Sequence, residues 1–243
     1  MSYDAPVQLQ DTCRDEVEPV GLVRCGATRW EDAMTNKPQT SGQGIFCETR
    51  KYYTFATDFT LKDAPLRRWV NEEEQMRNFR AESGKPFRGI KFSEPPRISF
   101  DRKGRCGAVL DADPITLGIW LVSDRLKALF ERIDPDPEAF VFQRVDVDYS
   151  NFPEPGPGFS FCYFMRELDC IDEEKSTLRY YDNVPGVKGY RALLDVKMRR
   201  ETVGSAHAFR LKYATLKLIV DDLIVDAVKA EGIRGFDFTP IQK

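Results

Sequence analysis

Twice along this chain a nearly unbroken apolar run ends at a polar cap, gives way to a helical pattern and closes on an extended segment. In the first copy Ile119, Trp120, Leu121 and Val122 lead into Ser123 and Asp124. Leu126, Leu129, Phe130 and Ile133 then recur at i, i+3, i+4 and i+7, which places them on one face of a side-chain-capped helix. In the second copy Leu218, Ile219 and Val220 lead into Asp221 and Asp222, followed by Ile224, Ala227 and Val228. Gly232 supplies a residue free to turn left-handed and stop that helix. The copies run from Ile119 to Val147 and from Leu216 to Ile241, and such repetition points to a recognition scaffold rather than a reaction centre.

Between and around the copies the pattern changes period. Asp134-Pro135-Asp136-Pro137 cannot continue a helix, and Phe140 with Phe142, then Val145 with Val147, predict a strand whose parity shifts at a bulge. The loop from Asn151 to Gly158 is rich in proline and glycine and is flanked by Tyr149, Phe152 and Phe159. Those aromatics fit a binding lip or packing that pins a long hairpin, and packing is the expectation. Phe159, Phe161 and Tyr163 share one side of the next strand. Ala192, Leu194, Val196 and Met198 alternate as a half-buried strand, as do His207, Phe209, Leu211 and Tyr213.

Upstream, Tyr53 and Phe55 share one side of a short extended segment. Asp63 and Pro65 then open a predicted helix carrying Leu66, Trp69, Val70, Met76 and Phe79, ended by Gly84 and Pro86. Glu72, Glu73 and Glu74, with Arg77 and Arg80, read as its wet face. Met1 to about Gly44 is polar and expected to be irregular. Pro95-Pro96 is the expected boundary, giving an N-terminal region over 1–95 and a main domain over 96–243. The fold class that follows is α+β: mixed, mainly antiparallel sheets, two capped amphipathic helices in a repeated strand-helix-strand pattern, and an N-terminal helix-containing region.

The 243 residues, 42% hydrophobic with 17 Phe, suffice for a core without staples. Cysteines at 13, 25, 47, 106, 162 and 170 never form Cys-x-x-Cys, and no apolar signal region opens the chain, so a reduced, cytoplasmic protein is expected. No apolar run approaches the roughly 20 residues of a membrane span. With 36 basic and 39 acidic residues the net charge is −3, which disfavours nucleic acid as a partner. Lys197, Arg199 and Arg200 form a local basic cluster that reads as a solvated face.

Catalytic constellations are missing from the sequence. His207 is the single histidine, so neither a His-Glu-x-x-His site nor a Cys/His zinc set can form. There is no Gly-x-Ser-x-Gly elbow and no phosphate-cradling Gly-x4-Gly-Lys-Ser/Thr loop, and Gly42-Gln43-Gly44 lacks the third glycine of a dinucleotide fingerprint. Asp111 with Asp113, and Asp146 with Asp148, lack the further ligands of a calcium loop. Cys106 and Cys162 lack activating neighbours. No cofactor or metal is expected.

Four stretches resemble the large immunity-protein family of bacterial polymorphic toxin systems, in that family's order and rough spacing. They are Leu121-Val122-Ser123-Asp124-Arg125-Leu126-Lys127, the segment Leu168 to Ser176, Ala208-Phe209-Arg210-Leu211, and Gly232-Ile233-Arg234-Gly235-Phe236-Asp237-Phe238. The resemblance runs from about Pro95 to the end. It implies a non-enzymatic protein that binds a cognate toxin and blocks it; the sequence leaves monomer and dimer both open. Partner-binding candidates are the acidic and aromatic residues outside the periodic core: Asp146, Asp148, Tyr149 and Phe152 before the proline loop, and Glu167, Asp169, Asp172, Glu173 and Glu174 beyond it. Asp172 and Ser176 match family positions, although an Asp with a Ser four residues on also closes a turn. The rival readings are an intracellular protein-binding adaptor or regulator, and a small carboxylate-dependent hydrolase.

Overall fold

The computed structural model describes residues 50–81, 92, 94–102, 107–116, 118–181, 186 and 188–242, the side chains of 77–81 and 215 excepted. The irregular start, Gly42-Gln43-Gly44, the Phe79 side chain, Gly84, Pro86 and Cys106 lie outside them. In chain order the elements are β1 (Tyr52–Thr57), β2 (Leu66–Trp69), α1 (Glu72–Ala81), β3 (Arg97–Asp101), β4 (Ala112–Thr116), β5 (Ile119–Ser123), α2 (Asp124–Ile133), β6 (Phe140–Asp148) and β7 (Phe159–Phe164). There follow β8 (Glu167–Leu168), β9 (Thr177–Tyr180), β10 (Tyr190–Asp195), the single turn α3 (Arg200–Val203), β11 (Ala208–Leu211), β12 (Ala214–Asp221), α4 (Asp222–Ala230) and β13 (Phe236–Pro240).

Both repeats form as their sequences predict. The Ser123 side chain accepts from the Leu126 amide at the start of α2, and the Asp221 carboxylate accepts from the Ile224 amide at the start of α4. Each satisfies one otherwise orphaned helical donor. Gly232 follows the end of the second copy's helix at a φ of 61°. The fold is α+β with mixed sheets, and the structure enlarges the repeat in a way the sequence does not show. Each helix is preceded by a hairpin, β4–β5 or β11–β12, and a further strand is inserted between hairpin and closing strand. That strand is β7 in the first copy and β1 in the second.

The registers coincide. Ser123 faces Phe159, the first residue of β7, as Asp221 faces Tyr52, the first residue of β1. Val122 faces Ala112 and Val220 faces Ala208. Phe140 faces the last residue of β7, Phe164, and Phe236 faces the last residue of β1, Thr57. The first helical amides match too: Asp124 donates to the Gly158 carbonyl at 2.9 Å and Asp222 to the Lys51 carbonyl at 3.1 Å, each acceptor lying just before the inserted strand.

The described residues form three cores on this scheme. One face of the six-stranded sheet β2-β3-β6-β7-β5-β4 carries Trp69, Ile98, Phe100, Leu121, Phe159, Phe161 and Tyr163. Arg67 on edge strand β2 reaches Asp113 at 2.7 Å and the Pro114 carbonyl at 2.8 Å on the opposite edge strand, β4, so the sheet curls around that core. Its other face, α2, α4 and the five-stranded sheet β13-β1-β12-β11-β8 together enclose Trp120, Phe130, Phe164, Phe55, Val220, Ile224 and Phe236. Phe55 of β1 sits among them, 4.5 Å from Trp120 and 4.7 Å from Phe236 between ring centroids. The third core lies across the five-stranded sheet and joins Tyr52, Phe209, Leu211 and Ile219 to Val196, Val203 and the β9–β10 hairpin residues Leu178 and Leu193.

Several expectations are corrected. Leu66–Trp69 is a strand paired with β3, and the helix begins only at Glu72, with Glu72, Glu73 and Glu74 exposed. No bulge interrupts the paired stretch of β6, whose register with β7 is unbroken from Phe140 to Val145. Its parity shifts because Phe140 and Phe142 face the helices while Val145 and Val147 face the curled-sheet core. In β10 two register shifts put Leu193 inward and leave Leu194 exposed. Pro95 and Pro96, where a boundary is expected, directly precede β3.

Candidate functional site

The predicted contact residues fall into two groups at opposite ends of β7, a strand of six residues and hence about 20 Å long. At its start, Asp148 accepts from the Ser150 amide at 2.8 Å, and that backbone bond holds its carboxyl below the ordinary range. Tyr149 stacks on Phe100 at 5.8 Å, and its hydroxyl donates to the Pro157 carbonyl at 2.7 Å. Phe152 meets Tyr149 edge-on at 5.5 Å. A Cβ on Gly156 would lie 2.4 Å from the Tyr149 ring, so the loop closes over that ring only because glycine stands there. These aromatics pin the loop by packing. Asp146 stays exposed beside them.

Beyond β7 most of the acidic group is internally neutralised. Glu167 pairs with Arg210 at 3.7 Å, Asp169 with Arg199 at 3.3 Å, and Asp172 with Lys175 at 2.8 Å. The Ser176 hydroxyl donates to the Asp172 carbonyl at 2.6 Å, which closes the turn expected of that pair. Glu173 pairs with Lys188 and accepts from the Tyr190 and Tyr180 hydroxyls at 2.6 and 2.9 Å, and these partners, Lys188 foremost, bring its carboxyl down to about 2. Glu174 is exposed. Asp111 and Asp113 serve different arginines, Arg125 and Arg67.

His207 belongs to a structural knot. Its Nδ1 lies 2.7 Å from Asp221 Oδ2 and 2.8 Å from Arg50 Nη2, and Arg50 also donates to Asp221 at 2.7 Å, the Gly204 carbonyl at 2.9 Å and the Ala206 carbonyl at 2.6 Å. Asp221 thereby caps α4 and neutralises Arg50 at once. Cys162 and Cys170 are buried free thiols, and burial pushes Cys170 up to about 12. Among the described residues no three ligating side chains gather as a metal site.

The knot forms one wall of a cleft. Arg50, Tyr52 and Arg200 line two adjoining depressions, one of about 490 Å3 completed by Lys51, Lys197, Met198 and Gln242, the other of about 330 Å3 completed by Gly204, Asp221, Asp222 and Leu223. Lys197 is held by Asp195 at 3.1 Å. Lys51 and Arg200 are exposed, and their side chains have no ion-pair or hydrogen-bond partner among the described residues. The larger depression is therefore cationic, while the smaller offers Leu223, 56% exposed, at the start of α4. Of its cations, Lys197 and Arg200 lie in the basic cluster visible in the sequence. Arg50 and Lys51 precede β1, and only the pairing of β1 with β12 brings them there.

Among the described residues no helix is long and apolar enough to cross a membrane. No curated protein matches the chain at a significant level. The model of the immunity protein family Imm11 matches residues 51–243. That match reaches upstream of the stretches that carry the resemblance and takes in β1, without which the second repeat has no central strand. The chain belongs to the immunity protein family Imm11.

Proposed function

We propose that the protein neutralises a cognate bacterial toxin in the cytoplasm of the producing cell, as one half of a polymorphic toxin system used in competition between bacteria. It acts by non-covalent binding and makes or breaks no bond of its partner. The observation that carries this reading is the family match over 51–243, which spans both repeats. Neutralisation requires very little free toxin, hence an interface of about 1,600 Å2 with a few desolvated anchors. The two groups flanking β7 are proposed as part of that surface: Asp146, Asp148, Tyr149 and Phe152 at one end, and Glu167, Asp169, Asp172, Glu173 and Glu174 at the other. Asp146, Asp148, Glu167 and Glu174 are exposed, and of these Asp146 and Glu174 have no side-chain partner among the described residues and are open to a partner's cations.

Co-expression with the product of the adjacent open reading frame tests the proposal. Growth should be rescued, and the two proteins should co-elute on gel filtration. If both are folded, and there is neither protection nor a complex, the reading fails.

A further inference from the structure

We infer that the cleft between the chain entering β1 and the Lys197–Gly204 segment docks an acidic segment of the toxin, carboxylates in the cationic depression and an apolar side chain against Leu223. This rests on the neutralisation reading and names the chemistry of one contact. Arg50 is fixed by its bonds to Asp221, Gly204 and Ala206 and so presents a rigid wall. Lys51 and Arg200 stand beside it, exposed and without an ion-pair partner among the described residues. Among the described residues no carboxylate lines the larger depression. An ion pair formed there on docking relieves unpaired cations without displacing an existing partner, which favours association and its rate.

The same cleft suits a protein better than a nucleic acid. Asp222 and Leu223 line the adjoining depression, where a phosphate chain would meet repulsion and an apolar surface, and the whole chain carries −3. An acidic peptide with an apolar residue near its carboxylates satisfies both depressions.

Fluorescence anisotropy on the full chain with a labelled peptide of alternating Glu and Leu provides the test, with a Lys/Leu peptide and oligouridylate as comparison probes. Saturable binding of the Glu/Leu peptide is expected, weakened at least tenfold by Arg200→Glu or Lys51→Glu and largely kept in Arg200→Lys. Both reversed side chains are exposed, so circular dichroism should be unchanged. Equal affinity in the reversed variants, or tighter binding of oligouridylate that those variants abolish, overturns the inference. In cells the two readings separate. If the wild type and the double reversal protect equally against the toxin, the cleft assignment falls and neutralisation stands. If peptide binding follows the cleft charges while the wild type gives no protection, neutralisation falls and the cleft stands.

Discussion

Asp134 shows how much a single carboxylate carries. It is 3% exposed, accepts from Arg166 at 2.6 and 3.1 Å, and accepts from the His207 and Ala208 amides at 2.8 and 3.1 Å. The residues equivalent to His207 and Ala208 in the first repeat are Asp111 and Ala112, whose amides donate to the Arg234 carbonyl at 2.9 and 3.2 Å. Each repeat is thus held at its entry by the segment that follows the other's helix. Burial alone would raise the Asp134 carboxyl, but the Arg166 hydrogen bond and the two amides carry it below its ordinary value. Asp111 is also lowered: burial opposes, and the bonds from Arg125, the Arg234 amide and Ser123 prevail. Because the folded values are depressed, this stability is complete above the unfolded carboxyl value near 4 and is lost as the pH falls below it. Urea midpoints followed by tryptophan fluorescence should therefore hold between about pH 5 and 7 and drop below about pH 4. Asp134→Ala should cost about 3–5 kcal/mol at neutral pH, since it strands two amides and takes from Arg166 its buried carboxylate, leaving it to Asp136 and the Ala208 carbonyl. A midpoint that rises on acidification would contradict the assignment.

At the level of elements the two caps make different demands. Ser123→Ala removes the bond to Leu126 but leaves Asp111 gripped by Arg125, so a loss of about 1–2 kcal/mol is expected. Asp221→Ala removes the cap and also uncovers Arg50 and His207, so about 3–5 kcal/mol is expected. Thermal melts of the two variants side by side check the order. Both helices and both caps were legible in the sequence, because a cap and an apolar face are local signals. Leu66, Trp69 and Val70 also satisfy helical spacing, yet pairing with β3 makes the first two part of a strand, and no local pattern announces that partner. The cleft was only partly legible. Lys197 and Arg199 are half-buried and paired with Asp195 and Asp169, whereas Arg200 is exposed and meets Arg50 and Lys51 from more than a hundred residues away in sequence.

For the molecule as a whole, β1 is the piece the sequence understates. It reads as a short extended segment, while the structure makes it an interior strand between β12 and β13 and puts Phe55 in the core shared with both helices. A chain beginning at residue 96 should fail to fold cooperatively, with poorly dispersed amide resonances. One beginning at Cys47 should keep a single sharp thermal transition.

The start of β1 also lies against the end of β13, since the Ile241 amide donates to the Tyr52 carbonyl at 3.1 Å. A circular permutant that opens at Asp58, and carries Arg50–Thr57 on a flexible tether after Gln242, would place each central strand directly after its closing strand. Circular dichroism and melting like those of the parent would establish that the polypeptide can be re-spliced there, with the tether beside the cationic cleft as a natural place to attach a probe or a tag.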